Sequence, residues 1–115
     1  MSGKINAGSQ AEDIAARYLQ QHGLKLITRN YRCRFGEIDL LLQEGETLVF
    51  VEVRMRSSTD FGGPAASIDA RKQAKLIRAA QHYLAALAHI PPCRFDAVLL
   101  SSSDHIEWVK NAFEA

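Results

Sequence analysis

Apolar residues recur along this chain at two spacings, and the changes from one to the other divide it into elements. Ala11, Ile14, Ala15, Tyr18 and Leu19 fall three and four apart, which predicts an amphipathic helix over 9–22. Ser9 or Asn6 can cap its start and Gly23 can close its end. "LKLITRN" (24–30) then alternates as a strand, and "YRCRFG" reads as a short basic link. "EIDLLLQ" (37–43) and "TLVFVEVRMR" (47–56), joined through "EGE", read as a β-hairpin. A Gly-, Ser- and Pro-rich loop over 57–66 precedes a second helix over 67–88, whose apolar stripe is Leu76, Ile77, Ala80, Tyr83, Leu84 and Leu87. Pro91 and Pro92 end it, and strands follow over 94–101 and 105–110. The order α-β-β-β-α-β-β predicts one α/β domain over 1–115, a mixed sheet flanked by helices. Its third and fourth strands should be parallel through a right-handed crossover.

Composition changes this picture little. With 115 residues, 47% hydrophobic and 23% charged, the chain suits one soluble globular domain. The N-terminus lacks an apolar signal region and no apolar run is long enough to span a bilayer, so no membrane role and a cytoplasmic location are expected. Cys33 and Cys93 form no C-x-x-C pair, and His22, His82, His89 and His105 show no ligand spacing. The net charge of +1 is uninformative, but its distribution is not. Arg54, Arg56, Arg71, Lys72, Lys75 and Arg78 cluster against only Asp60 and Asp69, a basic region able to meet phosphates or simply a solvated face.

Within "VFVEVRMR" (49–56), Glu52 stands among β-forming apolar residues. An ionised carboxylate there is costly unless something positive holds it. Residues opposite one another in a hairpin share a face. A two-residue turn at Glu44-Gly45, the favoured version, puts Glu37 across from Glu52 with Asp39 diagonal. A four-residue turn puts Asp39 directly across. Either leaves Glu37, Asp39, Glu52 and Arg54 on one face and Ile38, Leu40, Leu42, Val49, Val51 and Val53 on the other, whereas a three-residue turn separates the carboxylates. Clustered carboxylates need a shared proton, an arginine or a cation. Two acidic side chains offer hard oxygen ligands suited to Mg²⁺ or Mn²⁺. The alternative is an ion pair of Glu52 with Arg54 or Arg34 and no further role.

"GEIDLLL" followed by "FVEVRMR" resembles the signature of the PD-(D/E)XK nuclease superfamily, and the element order resembles its restriction-endonuclease-like core. "AEDIAARYL", "RNYR", "GEIDL", "VFVEVR", "FGGP" and "RFDAV", in that order, resemble more closely the YraN-like family of uncharacterised bacterial proteins, related to archaeal Holliday-junction resolvases. The resemblance implies that Asp39 and Glu52 are metal-binding carboxylates, with the backbone carbonyl of Val53 a third ligand for Mg²⁺ or Mn²⁺. It also implies that Glu12 belongs to the site, that nucleic acid (DNA before RNA) is bound, and that the protein is a homodimer. The motif's lysine position holds Arg54, which cannot in practice give up a proton but can stabilise charge on phosphate. Lys72 or Lys75 are candidate sources of the missing amine.

The second helix carries Arg71, Lys75, Arg78 and His82 on one narrow face, a stripe that can track a phosphate backbone. Gln73, on its apolar side, needs a hydrogen-bond partner and is a candidate support for the carboxylates, as is Glu37. Arg29, Arg32 and Arg34 interleave with Tyr31 and Phe35, which suits phosphates and unstacked bases or a merely charged strand edge. Three readings result: a metal-dependent DNA endonuclease acting on branched or structured DNA, a nucleic-acid-binding module of that fold without turnover, and a protein-interaction domain.

Overall fold

The structure is a computed structural model and describes residues 7–55, 69–101 and 105–114. Helix α1 spans Ala7–Gln21 and runs into strands β1 (Lys25–Cys33), β2 (Gly36–Glu44) and β3 (Thr47–Met55). Helix α2 (Ala70–Leu84) then leads to β4 (Cys93–Leu100) and β5 (Ile106–Phe113). The five strands lie in the order β1-β2-β3-β4-β5, with β3 and β4 parallel and every other neighbour antiparallel. This is the α/β architecture, a mixed sheet flanked by two helices, that the element order predicts.

Each helix covers one face of the sheet. Ala11, Ala15, Ala16 and Leu19 of α1 bury against Leu40, Leu42, Val49, Val51, Val98 and Leu100. Leu76, Ala79 and Ala80 of α2 bury against Leu41, Leu48, Phe50, Phe95 and Phe113 on the opposite face. The central strands are therefore apolar on both sides, as a sheet between two helical layers requires. Gly23, at φ +94, ends α1: its N–H bonds Gln20 O and Leu24 N–H bonds Leu19 O, a Schellman closure. Among the described residues no helix is long and apolar enough to cross a membrane.

Several boundaries differ from those read in the sequence. β1 continues through Tyr31, Arg32 and Cys33, so the basic link is strand, because each of these residues finds a partner on β2. α2 begins at Ala70, where the Asp69 carboxylate accepts the Lys72 N–H at 2.8 Å and caps the helix. Its C-cap is Ala85, several residues before the prolines. β5 extends to Phe113 because Phe113 pairs with Phe95 and stacks on it at 5.0 Å. The loop over 57–66, Arg56 and the "FGGP" motif lie outside the described residues.

The β2–β3 hairpin has a two-residue turn, but at Gly45-Glu46: Glu44 pairs with Thr47 and Leu40 with Val51. Gly45 takes φ +61 as the first turn residue, the position a type II′ turn reserves for glycine. Continued by one step, this register sets Asp39 directly opposite Glu52, where the Glu44-Gly45 turn sets Glu37. Ile38 also departs from the expected face. It packs with Leu41 and Phe50 under α2, while Leu40 and Leu42 face α1. The cause is Asn30 of β1, which takes φ +54 between the Arg29–Leu40 and Tyr31–Ile38 pairs. Arg29 on one side of it turns to α1 and Tyr31 on the other turns to α2, and each carries its partner on β2 with it.

Candidate functional site

Asp39 sits where the alternation of β2 breaks. The β2–β3 ladder runs only to Leu40–Val51, whereas β3 goes on pairing with β4 as far as Met55–Leu100. In place of a β2 carbonyl, the Val53 N–H donates to Asp39 Oδ2 at 2.9 Å. The Asp39 carboxylate thus stands between two parting strands and faces Glu52. A cleft of about 300 Å³ opens there, lined by Gly36, Glu37, Asp39 and Glu52 from the sheet and by Asp69, Arg71, Lys72, Lys75 and Leu76 from the start of α2. Acidic groups form its sheet side, and Arg71, Lys72 and Lys75, with the capping Asp69, its helix side.

Two carboxylates are buried among the described residues, and they are satisfied very differently. Asp96 is fully buried and accepts from Arg94 Nε (2.9 Å) and Nη2 (3.0 Å), Trp108 Nε1 (2.9 Å) and the Asn111 N–H (2.9 Å). Arg94 also donates to Glu44 at 2.7 Å, so both charges are locked in place. Glu52, 2% exposed, has no such cage. Its Oε2 lies 2.9 Å from Lys72 Nζ and 3.9 Å from Arg54, yet accepts no well-directed hydrogen bond. A buried oxygen left this way costs stability, and such groups call for a specific explanation.

Burial, followed by the charge of Glu52, pushes Asp39 up to about 7, against the lowering effect of the Val53 N–H. Below that value Asp39 keeps a proton that relieves its repulsion with Glu52. A buried oxygen whose near partner is the Lys72 ammonium, facing a second carboxylate, offers hard oxygen donors of the kind a divalent cation takes. Among the described residues no three Asp, Glu, His or Cys side chains converge closely enough to hold a metal ion by themselves.

The other residues singled out in the sequence divide. Arg71, Lys72 and Lys75 line the cleft, and Glu37 joins them while accepting from Arg32 Nε at 3.2 Å. Arg54 stands outside the lining, near Glu52. Arg78 is exposed further along α2, and Arg34 lies over the Phe35 ring. Gln73 is half-buried on α2 but is not part of the cleft wall. Glu12 approaches from the α1 side, 3.8 Å from Arg29. Burial first, then the charges of Asp39 and Glu37, raise its pKa, so it feels the site without lining it. His82 leaves the basic stripe to meet the Tyr31 hydroxyl at 2.6 Å.

Three residues not singled out as site residues contribute to its geometry. Asp69 caps α2 through Lys72, which sets the lysine beside Glu52; an Asp just before a helical run was the available signal. Gly36 lets α2 approach, since a Cβ there would come within 3.1 Å of the Lys75 carbonyl oxygen. Asp96 anchors β4 to β5; its place within the apolar run "RFDAVLL" was the available signal.

The family described as "Uncharacterised protein family UPF0102" matches residues 11–100, a span that includes Asp39 and Glu52. A UPF0102 protein of Nitrosomonas europaea is 60% identical over 116 residues, covering 99% of this chain and 98% of the relative. One from Nitrosospira multiformis is 58% identical over 93% of this chain and 92% of its own length, and one from Psychromonas ingrahamii 54% over 93% and 88%. By the extent of these matches, the chain belongs to the uncharacterised protein family UPF0102.

Proposed function

We propose that this chain is a nucleic-acid-binding protein of endonuclease type that hydrolyses phosphodiester bonds in DNA with Mg²⁺ or Mn²⁺. The single observation that carries the reading is Glu52: a buried carboxylate that faces Asp39 in a cleft with cations on its wall, its Oε2 met by the Lys72 ammonium without a well-directed hydrogen bond. A purely structural acid in this protein looks like Asp96, with every lone pair engaged.

Asp39, Glu52 and the Val53 carbonyl would hold the cation, which when bound supplies a polarised phosphoryl oxygen and a water acidified toward neutral pH. Arg71, Lys72 and Lys75 bring the substrate phosphate to the cleft by charge, and the positive end of α2 adds to them. Lys72, now beside Glu52, is the amine the motif position lacks, while Arg54 remains charged and serves to stabilise negative charge on the phosphate. Glu12 acts on Asp39 through its charge rather than by contact. Arg54 in the lysine position also favours a second reading, binding without turnover.

Calorimetric titration with Mn²⁺ of wild type, Asp39→Asn and Glu52→Gln separates these outcomes. Saturable binding that both variants lose, with cleavage of labelled DNA, supports the nuclease. The same binding without cleavage of duplex, single-stranded or branched DNA leaves the binding module. Absence of metal binding even with DNA present removes the metal-dependent reading.

A further inference from the structure

Next in the chain to the cleft residue Gly36 stands an aromatic ring that serves neither core. Phe35, in the turn between β1 and β2, is 36% exposed and belongs to neither of the two buried clusters. Its chain neighbour Gly36 lines the cleft and touches α2 at Lys75. The Arg34 guanidinium carbon lies 4.9 Å from the Phe35 ring centroid, and the His82 ring lies 5.9 Å from it. His82 is held in turn by the Tyr31 hydroxyl at 2.6 Å, and Tyr31 is wedged edge-on against Tyr83 at 5.3 Å. What sets this ring apart from other exposed apolar side chains is its bracing: two oriented polar rings hold it from one side and a cation lies over it.

The approach to it is basic. Lys75 and Arg78 lie on one face of α2, and His82, whose ring turns to Tyr31, comes one turn later, about 10 Å along the helix from Lys75. That is the scale of one to two nucleotides of an extended strand. Arg34 backs one face of the Phe35 ring, Arg78 can hold a phosphate beside a base stacked on the other, and a π-face accepts any base.

We propose that Phe35, braced by His82 and Tyr31, is a stacking platform for one unpaired nucleobase next to the phosphate held in the cleft. The proposal rests on the nucleic-acid reading above and narrows it: the preferred substrate carries at least one unpaired nucleotide beside the site of attack, and uniform duplex is bound only through its phosphates. Single-stranded or locally unpaired nucleic acid is the occupant for which ring, cations and cleft are arranged together.

Fluorescence anisotropy with labelled oligonucleotides in Ca²⁺ tests this, using a single strand, the same strand with one abasic position scanned along it, and the fully paired duplex. Phe35→Ala is expected to weaken single-strand binding roughly tenfold with little change on duplex, and Phe35→Trp to restore it. One abasic position should reduce wild-type affinity to the level of Phe35→Ala on the intact strand. Arg34→Gln should instead weaken both substrates and lower the salt dependence. Equal loss on strand and duplex in Phe35→Ala, or no loss on either, overturns the platform while leaving the Mn²⁺ titration of Asp39 and Glu52 untouched. A change in sedimentation of Phe35→Ala without a change in affinity would assign the ring to contact with a second protein chain and also overturn it. Wild type that binds neither oligonucleotide overturns the platform together with the nucleic-acid reading.

Discussion

Replacing Asp39 by asparagine should stabilise the metal-free protein at alkaline pH and leave it unchanged in acid. Asp39 faces a carboxylate that is 2% exposed, and burial together with that neighbour raises its pKa from 3.8 to about 7. Between those two values the folded state holds a proton that the unfolded chain has released. Stability therefore falls as pH rises through this window, and the loss is complete above about 7. At 1.36 kcal/mol per unit, a shift of that size corresponds to at most about 4 kcal/mol. Asparagine removes the charge, keeps an oxygen to accept the Val53 N–H, and offers an amide hydrogen to Glu52. Thermal unfolding of both proteins in EDTA, from pH 4 to pH 8.5, reads the difference, since other titrating groups cancel. For a domain of this size 1 kcal/mol moves the midpoint by about 4 °C, so a gap of several degrees should open with pH. With Mn²⁺ at a hundred times its Kd the gap at alkaline pH should narrow, because only wild type gains the roughly 2.7 kcal/mol of binding linkage. A gap independent of pH, or a variant less stable than wild type at pH 8 in EDTA, would falsify the shared-proton account of this pair.

Other substitutions probe the remaining parts of the site. Lys72→Met leaves Glu52 without its 2.9 Å partner, so the metal-free protein should melt lower at pH 8, and the salt slope of DNA binding, measured by anisotropy, should drop by about one. Gly36→Ala brings a Cβ to 3.1 Å from the Lys75 carbonyl oxygen. The start of α2 must give by a few tenths of an ångström, and Mn²⁺ affinity by calorimetry should fall more than the melting midpoint does. Asp96→Ala strips Arg94, Trp108 and Asn111 of their shared acceptor and should cost about 3–5 kcal/mol in denaturant unfolding. Metal affinity per folded molecule should be unchanged, as Asp96 lies outside the cleft.

Local patterns in the chain determined the elements, their order and the parallel pairing of β3 with β4, because helical and strand periodicities differ and a helix between two strands imposes a crossover. They also placed Asp39 and Glu52 on one hairpin, since either even-length turn brings the two to the same face. Which acid stands directly across from Glu52 was not decided locally. Glycine suits either of two turn positions, and the choice of Gly45-Glu46 follows from how the whole ladder pairs. The face of Ile38 was illegible for a similar reason: it depends on the left-handed Asn30 in a different strand, which shifts the alternation of both. Lys72 and Lys75 were equivalent in the sequence, and only the packing of α2 against Gly36, with the Asp69 cap at its start, sets Lys72 on Glu52. Asp96 and Glu52 read alike as acids within apolar strands. Their environments differ because hydrogen-bond donors arrive from residues distant in sequence, and only the folded chain reveals which carboxylate is supplied with them and which is left open.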